Sequence, residues 1–460
     1  MRFDPHFADM RFGFGLSPSV APPVDAAALL DGLHAPDEIA QRFPVEPYQL
    51  FQARMVESQR LMKQIRKTRG TPENEIPTKA RRLVQKDARQ AMRQWLVQSM
   101  LRRAYTPDGF RERLVAFWAD HFAARGKAGV MRRATSPYIE DAIRPFVAGR
   151  FSDLLQSAVM HPLMLHYLDQ DRSVGPNSKR GKVSNGRRGL NENLAREVLE
   201  LHTLGVGSAY TQDDVRQLAE LFTGMSSKAP RGFKFRKDFV EPGSETVLGI
   251  TYDDALKPAP IRAALEDLSV HPDTARHLAR KLAVHFVSDQ PPRDLVDHMT
   301  ARYRETDGDM TSVYAALLEH PAAWQREGAN MKTPAEFVGS ALRALAPNPG
   351  PLQALKERQV QNLFFTPMAV MGQAWQRFDG PDGWPEEDDA WVTPAGVVGR
   401  VQWAMGAPRQ MLETLPDPRA FVDTALGPYA ADEVRFAAGA AESVPEAIGI
   451  VLMSPAFQRR

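Results

Sequence analysis

A mainly helical protein, with one large multi-helix body and a single small β-hairpin or extended flap at about residues 232–250, is the fold class the sequence predicts. Three observations lead there. Along most of the chain apolar residues recur at intervals of three and four rather than two. Helix punctuation is frequent, with capping residues before the apolar stripes and Gly or Pro after them. Only one stretch, from Phe233 to Gly249, alternates aromatic and polar residues, around Glu241-Pro-Gly243.

Composition agrees with a folded body. The 460 residues are 43% hydrophobic and 25% charged, which excludes collagen-like, low-complexity and wholly disordered chains. The absence of cysteine excludes disulfides, zinc-thiolate sites, iron–sulfur clusters and a cysteine nucleophile. No apolar run approaches the roughly 20 residues of a membrane span, and Met1-Arg-Phe-Asp-Pro-His6 contains no signal-peptide core. A soluble protein without a membrane span is expected, its compartment open.

The net charge of +2 hides an asymmetry. Residues 54–103 carry fourteen Lys and Arg against four Asp and Glu. After an N-terminal arm, 1–46, this basic stretch lies in a predicted helical hairpin, 47–104. Phe51, Met55, Ser58, Met62 and Ile65 mark its first stripe, ended by Gly70, and Thr78 is positioned to cap a second helix with Val84, Ala88, Met92, Trp95 and Leu96 inward. Arg81, Arg82, Lys86, Arg89 and Arg93 share the polar side. They suit a phosphate backbone or an acidic partner, but charge runs of this kind are more often a solvated face.

A helical core is expected over 105–225. Within it, His121 follows Phe117, Trp118 and Asp120 on one helix, as an acid/base group or a hydrogen-bonded core histidine. Residues 171–190 are turn-formers and positive charge, including Lys182, Arg187 and Arg188. That basic loop feeds a helix start at Asn191 or Asn193, where free N–H groups and the helix dipole favour an anion.

The helix over 191–204, closed by Gly205, reads as buried with one polar stripe. Leu190, Leu194, Val198 and Leu201 form an apolar side, while Asn193, Arg196, Glu197 and Glu200 crowd an arc of about 100°. Two explanations fit: a structural ion-pair network, or the floor of a ligand pocket. In the second, Glu197 and Glu200 are the candidate catalytic carboxylates and Arg196 clamps an anion. Asn191, Asn193, Lys182, Arg187, Arg188, His121 and His202 are then the ligand-binding candidates. No His-x-x-x-His or His-Glu-x-x-His pair occurs, so no metal site is expected, and no cofactor is assigned.

Thr211-Gln-Asp-Asp214 has the form of a capping box for the next helix, and an extended insert is expected over 226–258. Residues 259–460 read as further helices packed on the same body. There His277, Lys281 and His285 step along one side at four-residue intervals, a poor metal set that suits core and surface roles. The loop 379–389 carries six acidic residues that balance the basic hairpin.

Asn191-Glu-Asn-Leu-Ala-Arg-Glu-Val-Leu-Glu-Leu-His-Thr-Leu-Gly-Val206, followed by Tyr210-Thr-Gln-Asp-Asp-Val215 and Phe222-Thr-Gly224, closely resembles the signature of the bacterial domain of unknown function 1800 (DUF1800) family. Further resembling segments span the chain: Arg11-Phe-Gly-Phe-Gly-Leu16, Phe117-Trp-Ala-Asp-His-Phe122, Leu278-Ala-Arg-Lys-Leu-Ala-Val-His-Phe286, Lys332-Thr-Pro-Ala-Glu-Phe337, and Gly372-Gln373 through Gly383-Trp-Pro385. The resemblance implies a mainly helical protein with no assigned reaction. It also implies a gene neighbour from another, usually exported, family, and hence a protein partner. Three functions follow as expectations, in this order: an accessory or binding protein working with that partner, an enzyme acting on an anionic substrate, and nucleic-acid binding through the hairpin, which is disfavoured because no aromatic residues interleave its basic face.

Overall fold

The basic hairpin forms as two packed helices, Tyr48–Lys67 and Glu75–Tyr105. The computed structural model describes residues 3–184, 188–229, 231–253, 256–326 and 329–460. The second helix starts three residues before Thr78. Pro77 falls in its first turn, where an N–H has no intrahelical partner to lose, so it does not delay the helix. Phe51 meets Trp95 edge-on, ring centroids 6.0 Å apart, and both are buried.

The long helix Glu75–Tyr105 then joins two apolar cores. Ala88 and Trp95 belong to the first, with Phe12, helices Gly109–His121, Phe151–Val159, Gln212–Leu221 and Pro272–Phe286, and Tyr314. Leu96, Val97, Met100 and Leu101 belong to the second, with helices Pro334–Leu345, Pro394–Gly406 and Val444–Met453. One helix thus buries different faces in different cores along its length.

The N-terminal arm ties the two together through buried arginines. Phe12 and Phe14 are buried. Arg343 pairs with Asp9 at 3.1 Å and donates to the carbonyls of Gly15 and Thr106, while Arg113 donates to the carbonyl of Gly13. A side chain at position 13 would place its Cβ 2.5 Å from Asp9 Oδ1, so the chain can double back there only with glycine.

The strand region contains two small antiparallel hairpins in place of the single one expected. Met225–Lys228 pairs with Gly232–Phe235, and Glu245–Val247 with Ile250–Tyr252. Glu241-Pro-Gly243 connects them and does not form the tip of either. The Glu241 carboxylate is occupied by the backbone N–H and side-chain amide of Asn177, which anchors that connection to the preceding loop. The mainly helical class stands, and among the described residues no helix is long and apolar enough to cross a membrane.

The signature segment is helical from Asn193 to Glu197 and continues as a π-turn, Val198–His202. Its start lies at the later of the two expected positions, because the Asn191 side chain accepts the N–H of Asn193 at 2.8 Å. Its wide final turn is closed by the Thr203 hydroxyl on the Val198 carbonyl and by the Gly205 N–H on Leu199. The capping box at Thr211 and Asp214 is present with both of its hydrogen bonds.

Candidate functional site

Where the two cores meet, a cleft of about 170 Å³ opens, room for on the order of ten waters. The helix Gly109–His121 contributes Phe117 and Asp120 to it, and the helix Pro272–Phe286 contributes His285. Helix Pro334–Leu345 adds Glu336, and the acidic loop adds Trp384, Pro385 and Glu386, with Trp375 and Phe378 completing the apolar wall.

The loop is fastened over the site by backbone geometry. Gly383 has φ +81°, and a Cβ there would lie 2.6 Å from Asp120 Oδ2. With glycine in place, the chain approaches closely enough for the N–H of Trp384 to donate to both Asp120 oxygens, at 3.0 and 3.1 Å. Burial raises the Asp120 carboxyl to about 8, reinforced by the neighbouring charge of Glu386. Lys281 works in the opposite direction, but forms no ion pair with Asp120 among the described residues. Asp120 is therefore protonated at neutral pH.

Glu386 is in the opposite state. Burial works to raise its carboxyl, but the hydrogen bond from His285 and the positive charge of Arg460 hold it below the ordinary range. His285 Nδ1 lies 2.8 and 3.0 Å from the two Glu386 oxygens, while Nε2 is buried without a hydrogen-bond partner among the described residues. Burial depresses the imidazole pKa, so the ring is neutral and its one proton sits on Nδ1, facing the carboxylate. Behind this pair, Glu336 is held ionised by Arg460 and Arg113, the latter at 3.0 Å.

A family model described as protein of unknown function (DUF1800) matches residues 8–459. The chain belongs to the DUF1800 family. No curated protein and no solved structure matches it. Four of the segments through which this DUF1800 chain resembles its family converge on the cleft: 117–122, 278–286, 332–337, and the stretch from Gly372 to Pro385. The signature helix does not line it.

That helix presents a partly solvated network. Arg196 pairs with Glu192 and Glu200, both at 3.3 Å, and bonds Gln212; the Arg196 and Glu200 side chains remain 38% and 26% exposed. Glu197 is half-buried, its pKa raised by burial and then by Glu200, and it does not line the cleft. Asn191, Asn193 and Arg188 border a separate open depression with Arg172, Arg236, Asp169 and Asp171, a surface of mixed charge. Lys182 is exposed on the short helix Lys179–Val183, away from that depression, and Arg187 lies outside the described residues.

His121 and His202 turn into the core. His121 Nε2 donates to the His202 carbonyl at 3.3 Å, and the His202 ring nitrogens have no hydrogen-bond partner among the described residues. With His277 they form a buried cluster, His121 being 5.6 Å from His202 and 6.3 Å from His277 between ring centroids. Burial and then Lys281 hold His202 at about 3 and His277 at about 4, so these rings are neutral at pH 7. Among the described residues no group of three or more His, Asp or Glu has the arrangement of a metal site.

Sequence reasoning placed His285 among core and surface residues and gave Asp120 no role. The signal available was limited. The four-residue step from Lys281 to His285 shows a shared helix side, but nothing local reveals that the acidic loop, about a hundred residues later, supplies the partner carboxylate.

Proposed function

We propose that this DUF1800 protein binds a small organic molecule in the cleft between its two cores and moves protons on it, with His285 as the base and Asp120 as the acid. One observation carries the reading: Glu386 occupies Nδ1 of His285, leaving the Nε2 lone pair without a partner among the described residues. A carboxylate on one imidazole nitrogen fixes the tautomer that makes the other a base. Asp120 supports it as the complement, a protonated carboxyl in the same cleft as an ionised one, the division of states on which acid–base pairs depend.

The protons balance. His285 Nε2 takes one from the bound molecule or from a water beside it, and Asp120 gives one to the atom where negative charge develops. Among the described residues no hydroxyl bonds Nε2, so the reading assigns no covalent nucleophile. Phe117, Trp375 and Trp384 supply the apolar wall against which the body of the ligand packs.

The test is a thermal-shift screen of small organic molecules without phosphate groups, among them carboxylic acids, alcohols and sugars, on the wild type, His285→Gln and Asp120→Asn. A compound at about 100 times its dissociation constant adds roughly 2.7 kcal/mol to the wild type. The reading expects that gain to be lost in both folded variants. Compounds that stabilise all three proteins equally would place binding elsewhere.

A further inference from the structure

Beside the cleft, four arginines from three segments gather around the partly buried guanidinium of a fifth, Arg133. Arg89 and Arg93 stand one turn apart on the helix Glu75–Tyr105. Arg132 and Arg133 end the turn Gly129–Arg133, which packs against that helix. Arg377 arrives on the loop that follows the cleft residues Trp375 and Gln376. Among the described residues the only carboxylate paired with any of the five is Glu357, 2.8 Å from Arg93. Arg132 spends its Nε on the Lys127 carbonyl, and Arg133 Nε is buried with no hydrogen-bond partner among the described residues. The Arg133 pKa is lowered, first by burial and then by Arg377, Arg89, Arg132 and Arg93, which places those four within electrostatic reach of Arg133.

Gathering like charges while leaving a buried donor unsatisfied is unfavourable for the isolated fold. A doubly charged anion removes both costs, since planar guanidinium forks match phosphate oxygens two at a time. The cluster also sits at the rim of the cleft. Gln376 Nε2 donates to Ser136 Oγ across that rim at 2.8 Å, and Arg377 and Arg133 lie one and three residues along the chain from these two cleft residues.

We infer that Arg89, Arg133 and Arg377 form a recognition site for the phosphate or pyrophosphate group of a small ligand, held at the rim of the cleft. Two neighbouring facts favour a compact anion over a nucleic-acid backbone. The cluster is local to the rim, and Arg54, Arg60 and Lys79 of the same hairpin each have a carboxylate partner of their own. This site deepens the acid–base reading by naming a substrate class, yet it binds its anion whether or not His285 and Asp120 are catalytic.

The experiment is calorimetric titration of the full chain with pyrophosphate at roughly 50 and 200 mM salt, the range over which phosphate contacts weaken. Wild type, Arg133→Gln/Arg377→Gln and Asp120→Asn are compared, with Arg377→Gln alone as a second variant on an exposed residue should the double variant not fold. The inference expects wild type and Asp120→Asn to bind alike, and the arginine variants to bind at least about tenfold more weakly. It also expects the double variant to melt no lower than the wild type, because repulsion is relieved. Equal binding by wild type and the arginine variants, no pyrophosphate binding by wild type even at low salt, or binding seen only with a long oligonucleotide would each overturn it. A loss confined to Asp120→Asn would overturn the rim site while leaving the cleft reading in place.

Discussion

Asp9 and Arg343, 334 residues apart in the chain, meet in a buried ion pair with their closest atoms 3.1 Å apart. Arg343 also donates to the carbonyls of Gly15 and Thr106, so this one guanidinium holds the N-terminal arm on the second core. Breaking a buried pair by removing one partner strands the other and costs about 3–5 kcal/mol. Asp9→Asn is expected to lose stability of that order in chemical denaturation. A loss under about 1 kcal/mol would mean the arm is not clamped by this pair.

The Asp120 carboxyl is held at about 8 in the fold against an ordinary 3.8. With a raised folded-state value, the protonated group stabilises the fold in full below its unfolded pKa, and that contribution is lost as pH rises through the folded one. Asp120→Asn cannot ionise. Its melting temperature relative to the wild type should therefore climb from about pH 5 to about pH 8. A difference that stays flat across that range would show that Asp120 is ionised throughout.

Gly383→Ala tests the fastening of the acidic loop. The added Cβ would meet Asp120 Oδ2 at 2.6 Å and the Asp120 carbonyl at 2.7 Å, on a residue already at φ +81°. The loop must lift, and with it the Trp384 N–H. Ligand-induced stabilisation should fall at least about tenfold in affinity, whereas the loss in the melting temperature of the free protein should be smaller than for Asp9→Asn. Unchanged affinity would separate the loop from the site.

Glu197→Gln and Arg196→Ala address the signature helix. Arg196 is 38% exposed and its pairs are partly solvated, so removing it should cost no more than about 1 kcal/mol. Neither change is expected to alter binding in the cleft, which titration with the hits of the ligand screen measures. A selective loss of binding in Glu197→Gln with the fold intact would move the site to that helix.

Much of the fold was legible in the sequence because its signals are local. Thr211 and Asp214 build their capping box, and the interval of three to four residues places Trp95 and Leu96 inside, whereas the first hairpin helix stops at Lys67, three residues short of Gly70. The two-hairpin insert was only half legible, since Glu241-Pro-Gly243 has turn chemistry whether it forms a hairpin tip or a connection. The site was less legible for a physical reason. Asp120, His285, Glu336 and Glu386 come from four segments, and their protonation states arise from burial and mutual charge that exist only once both cores have closed. The partner protein rests on the resemblance alone.

The protonation of two groups tests the central claim most directly, and nuclear magnetic resonance reads both in the free protein: the ring nitrogens of His285 and the carboxyl carbon of Asp120, each assigned by substitution. The account predicts a neutral His285 at pH 7, with its proton on Nδ1 and an unprotonated Nε2, together with an Asp120 carboxyl that titrates near 8. A His285 that is doubly protonated or carries its proton on Nε2, or an Asp120 that titrates near 4, would leave the cleft without its base or its acid.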